Sequence, residues 1–126
     1  MRLLCVLLAL FAVPAGAATL ACHISYGGET QILRQAHLRQ VRDAYVQAPQ
    51  AIGFYFLFRP VFEPAAVKLY TYVDHPDGPV LLHQASFSHP AATRTRGRHG
   101  FTGEQRIYEP IRDSELQYWC EIEDRP

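Results

Sequence analysis

The chain has 126 residues, and its 12 Lys and Arg balance 12 Asp and Glu, so the formal net charge is zero. A neutral chain of this length has room for one small domain. Without bulk positive charge, nothing points to nucleic acid as a partner.

Residues 1–17 follow the three-part grammar of a secretory signal: a positive charge at Arg2, an apolar run from Leu3 to Val13, then Pro14 and an A-x-A site at Ala15-Gly16-Ala17. The run is well short of the roughly 20 residues that span a hydrocarbon core, so a cleaved signal is expected rather than a transmembrane anchor. No later segment approaches a membrane-spanning stretch. Removing 17 of 126 residues leaves 109, read as one domain over 18–126 in the periplasm or outside the cell. In that domain 11 Lys and Arg stand against 12 Asp and Glu, and Lys68 is the only lysine.

Cys5 leaves with the signal, and Cys22 and Cys120 remain, an even pair in an oxidising compartment. A bridge closing a loop of nearly 100 residues stabilises a small domain by roughly 4–5 kcal/mol on the chain-entropy view. An alternative for Cys22 comes from Thr19-Leu20-Ala21-Cys22, which resembles part of a bacterial lipoprotein signal, although Thr19 stands where that family has leucine. Lipidation there leaves Cys120 as a lone thiol.

Leu20, Cys22, Ile24 and Tyr26 alternate as one face of an extended strand, and Gly27-Gly28 then reads as a two-residue hairpin turn. The return strand is expected over Glu29 to Leu33. Val41 to Val46 suggests another short strand. The run Ile52 to Phe58, apolar on both faces, predicts a central strand covered from both sides. Val67, Leu69 and Val73 alternate with Lys68, Tyr70 and Tyr72. Asp74 to Pro79 is a strong turn signal, and Val80 to Phe87 is a further strand. Residues 90–103, with three arginines, a histidine and three glycines, read as an exposed loop. Gln105 to Glu109 and Leu116 to Ile122 supply the last strands. Seven or eight short strands with no helical periodicity predict an all-β fold, an antiparallel β-sandwich or small barrel, closed by the Cys22–Cys120 bridge.

The segment Asp113 to Cys120 resembles the immunoglobulin ending in which a tyrosine, here Tyr118, lies two residues before the second cysteine. It departs from that pattern in its spacing and in having its only tryptophan at Trp119. The resemblance implies a sandwich and no immunoglobulin function. In size, export and cysteine use the chain is also similar to small periplasmic inhibitor proteins of bacteria such as the lysozyme inhibitors. No binding residue follows from that likeness.

Three constellations bear on function. Arg94, Arg96 and Arg98 alternate beside Phe101, concentrating positive charge in a neutral domain, and suit an anionic envelope component or an acidic protein partner. Tyr70, Tyr72 and Tyr108 form a second candidate recognition face. As an alternative, His83, His89 and His99 among the six histidines would bind copper or zinc near one end of the sandwich, without help from thioether ligands since the only methionine is Met1. No nucleophile elbow, phosphate loop or dinucleotide fingerprint is present, and the acid pairs Asp113 with Glu115 and Glu121 with Glu123 have the spacing of a solvated edge. The expectation is therefore a binding protein without enzymatic activity or cofactor.

Overall fold

Alternation at Ala18–Tyr26 (β1) and Glu29–Ala36 (β2), with the Gly27-Gly28 turn between them, makes the hairpin that opens the computed structural model, which describes residues 18–124. Both turn glycines take positive φ, 62° and 80°, as a tight hairpin requires. The remaining strands are Gln50–Ile52 (β3), Phe56–Phe62 (β4), Ala66–His75 (β5), Gly78–Ser88 (β6), Gln105–Glu109 (β7) and Ser114–Asp124 (β8). They form two antiparallel four-stranded sheets, ordered β2-β1-β8-β7 and β3-β4-β5-β6. Among the described residues no helix is long and apolar enough to cross a membrane.

The inward faces meet in one core. Leu20, Cys22, Ile24, Leu116, Tyr118 and Cys120 come from the first sheet, and Ile52, Phe56, Phe58, Phe62, Val67 and Leu69 from the second. The alternation expected for β5 holds, with Val67, Leu69, Thr71 and Val73 buried and Lys68, Tyr70 and Tyr72 outside. Cys22 and Cys120 face each other in the register of β1 and β8 and are bonded. The bridge therefore joins the first and last strands inside one sheet, whereas an immunoglobulin domain bridges its two sheets. Tyr118 departs as well: its hydroxyl is buried without a protein hydrogen-bond partner, whereas the immunoglobulin tyrosine bonds back to the main chain.

Two expected elements are corrected. Val41–Val46 is a 3₁₀ turn, not a strand. It is held against the outer face of the second sheet by Arg59, whose Nη1 donates to the Ala44 carbonyl at 3.0 Å, and by the Gln47 side chain, which donates to the Pro60 carbonyl. The run Ile52 to Phe58 is not one strand, because the chain turns at Gly53 with φ 61°. The Tyr26 ring lies where a side chain on residue 53 would begin. Phe54 consequently points outward, 89% exposed, while Ile52, Phe56 and Phe58 stay in the core.

Candidate functional site

The connections sort to opposite ends of the sandwich. At one end lie the tight turns at 27–28, 53–55, 76–77 and 110–113. At the other lie both described chain ends, the 37–49 segment, the 63–65 turn and the long 89–104 loop. These are called the turn end and the loop end below.

The 89–104 loop is anchored partly by its own turns and partly by strands remote in sequence. The His89 amide donates to the Ala65 carbonyl at 2.9 Å and the Ala92 amide to Ser88 at 2.8 Å, closing the first turn. His89 Nδ1 shares a hydrogen bond with Thr93 Oγ1 at 2.7 Å. Further on, Gly97 and Gly100 exchange amide hydrogen bonds. Strand β7 pairs with β8 only as far as Tyr118, which leaves the next stretch of that β8 edge open. The loop fills it: the Phe101 amide donates to the Cys120 carbonyl at 3.1 Å, and the Cys120 amide donates to Thr102 Oγ1 at 2.9 Å. This approach is so close that a Cβ on residue 100 would fall on the Cys120 carbonyl oxygen. Glycine with φ 62° is what permits it.

Between this loop and the ends of β1 and β8 lies a cleft of about 520 Å³. Its lining includes Ala18 from β1, His89, Thr93, Arg94 and Arg96 from the loop, and Glu121 and Asp124 from β8. Arg96 Nη2 donates to Asp124 Oδ2 at 2.9 Å, and both residues line the cleft. Among the described residues Arg94 has no acidic partner. His89, part of the lining, stands edge-on to Phe62 at 4.8 Å and to His37 at 5.1 Å. Burial lowers its pKa below 6.5, His37 adds to the effect and Asp124 opposes it. A second cleft of about 520 Å³ at the turn end is lined by Tyr26, Ile52, Gly53 and Phe54. Its only charged lining residue is Glu29. The two clefts are alike in size, and only the loop-end one carries cations.

Of the arginine constellation, Arg94 and Arg96 line the loop-end cleft and Arg98 does not. Phe101, expected on an exposed loop, is 9% exposed and packs edge-on to Phe87 at 5.2 Å in the core. It closes the sandwich and is no part of the surface. The tyrosines divide: Tyr70 and Tyr72 lie together outside the second sheet, with the Arg59 guanidinium 4.2 Å from the Tyr70 ring, while Tyr108 is on β7 and donates to Asp113 at 2.6 Å. That hydrogen bond raises the Tyr108 pKa.

The three histidines are not brought together. His83 stands opposite Thr71 in the β5–β6 register, with its Nδ1 buried and unpartnered. His89 is at the cleft. His99 lies outside the first sheet, 5.9 Å from Trp119, whose other neighbour is the stacked ring of His23 at 3.7 Å. Among the described residues no group of three or more His, Cys, Asp or Glu is placed to hold a metal ion. His37, the histidine that does meet His89, is 52 residues away in sequence, and no local signal marks the pair.

In comparisons with known proteins, no family, curated protein or solved structure matches this chain.

Proposed function

We propose that the protein is exported and acts by binding, taking an anionic phosphate or carboxylate group of an envelope component into the loop-end cleft. The observation that carries this reading is Arg94, a cation lining a cleft of about 520 Å³ with no acidic partner among the described residues. A guanidinium in such a place offers forked hydrogen bonds to a planar or tetrahedral anion. Export is supported by the signal grammar of residues 1–17, which lie outside the described residues, and by a Cys22–Cys120 bridge that suits an oxidising compartment.

The test is retention of the folded protein on phosphatidylglycerol vesicles at low and high salt. The parent should be retained at low salt and released as salt rises. The Arg94→Ser/Arg96→Ser/Arg98→Ser protein should lose retention while melting close to the parent, because exposed charges contribute little to folding. Full retention by the triple variant, or none by the parent, overturns the reading.

A further inference from the structure

The side chains lining the loop-end cleft cancel in charge: Arg94 and Arg96 stand against Glu121 and Asp124. His89, with its pKa held below 6.5, is neutral near pH 7 and adds nothing. Arg94 alone offers a cation unpaired among the described residues, and one more positive group gives the whole lining a net charge that favours an anion. The remaining lining position able to supply one is Ala18, which stands opposite Asp124 where β1 and β8 pair. Ala18 is also the residue that follows the A-x-A site.

We propose that the mature chain begins at Ala18 and that its α-ammonium is a working part of the cleft, making the lining net positive for a bound phosphate or carboxylate. The proposal rests on the anion-binding reading above and adds to it a condition, that the site is completed by removal of residues 1–17. Before cleavage the Ala18 nitrogen is an uncharged amide. After cleavage the same atom carries a positive charge and three hydrogen-bond donors. The lining then goes from balanced to one net positive charge, so binding is coupled to export and the precursor meets anionic surfaces without a finished site.

The terminus also gives the site a pH dependence that arginine alone lacks. A free α-amino group titrates at about 7.7–8.0, whereas a guanidinium keeps its charge throughout this range. The charged or titratable side chains that line the cleft with Ala18 are Asp124 and Glu121 from β8 and Arg94, Arg96 and His89 from the loop, and on the β2 side His37 follows Ala36, the partner of Thr19. Among these and Ala18, only the α-amino group ordinarily changes charge between pH 7 and 9.5.

The experiment uses the mature protein with Lys68→Arg, which removes the only lysine and so leaves the α-amino group as the main site for acetylation. Acetylated and unmodified forms are compared for retention on phosphatidylglycerol vesicles from pH 7 to 9.5, beside the Arg94→Ser form. The unmodified protein should lose binding as pH rises. The acetylated one should bind about tenfold more weakly at pH 7 and show no such loss, as removal of one charge from a partly screened site implies. If acetylation changes nothing while Arg94→Ser abolishes retention, the cleft binds anions but the terminus plays no part, and this proposal falls alone. If no form is retained, the anion-binding reading falls and takes this one with it. An exported protein whose first residue is not Ala18 also overturns the proposal.

Discussion

The two ends of the sandwich are built by different means. At the turn end each connection is short and satisfied by its neighbours: Gly27 and Gly28 supply the positive φ of one turn, and the Glu109 carboxylate closes another. Glu109 is fully buried and accepts from the Ile111 amide at 2.7 Å, the Arg112 amide at 3.0 Å and Ser114 Oγ at 3.4 Å. At the loop end the 89–104 segment is held by groups far away in sequence, above all Cys120. The turn end has a cleft of equal size, but its only charged lining residue is Glu29, so it offers an anion no cation. A loop laid over the end of another strand leaves a gap beneath it, and there lies the cleft that holds Arg94 and Arg96.

Glycine substitution separates the two ends most sharply. Gly100→Ala places a methyl group on the Cys120 carbonyl oxygen in addition to its positive φ, and should destabilise by about 4 kcal/mol or more, as steric disruption of core backbone does. Gly27→Ala meets nothing within 4 Å and bears only the conformational cost, about 1–2 kcal/mol. Urea unfolding of both variants measures the difference. Equal losses would mean that the loop is not docked on β8.

The phenylalanines extend the contrast. Phe101→Ala removes a core ring and should cost about 3–5 kcal/mol, whereas Phe54→Ala at the turn end should stay within about 0.5 kcal/mol. Thermal melts that rank them in the reverse order would place Phe101 outside the core.

The same contrast explains what was legible in the sequence. Features set within a few residues could be read: the Gly27-Gly28 hairpin, the period-two alternation of Val67, Leu69 and Val73, and the paired cysteines on apolar strand faces. The turn at Gly53 was hidden because Phe54, Tyr55 and Phe56 have the composition of a strand, and only contact with Tyr26 shows why the chain bends there. The valines at 41 and 46 suggested a strand, yet that segment is shaped by Arg59 and Gln47 reaching across the second sheet. Phe101 stands among glycines and charged residues, and its burial follows from an open β8 edge that no local pattern reveals. The cleft was half legible: Arg94 and Arg96 were found by their charge, while Ala18, Glu121 and Asp124 join them only through the β1–β8 register.

A smaller effect is expected at the turn end from Glu109→Gln. The amide leaves one acceptor for two backbone donors and turns its NH₂ toward one of them, so a loss of about 1–3 kcal/mol is expected in urea unfolding. No loss would show that the turn closes without its carboxylate.

The smallest effect belongs to His89. Its folded pKa lies below 6.5, so the unfolded chain takes up a proton first as the pH falls. Its contribution to stability is therefore full above about pH 6.5 and declines below it, down to the folded pKa. His89→Asn should flatten this part of the stability profile between pH 7 and 5. An unchanged slope would assign the acid sensitivity to other groups.

The central claim is that binding belongs to the loop end, and one comparison of single arginines tests it directly. Arg94 lines the loop-end cleft, and the Arg112 guanidinium at the turn end lies 4.0 Å from the Tyr55 ring. Each substitution to serine removes one charge from the same neutral chain, so a nonspecific electrostatic effect would be equal in both. Retention on phosphatidylglycerol vesicles at low salt should fall at least about tenfold in Arg94→Ser, as loss of a charge-assisted contact implies. In Arg112→Ser it should remain near that of the parent. Equal losses, or a loss confined to Arg112→Ser, would contradict the account.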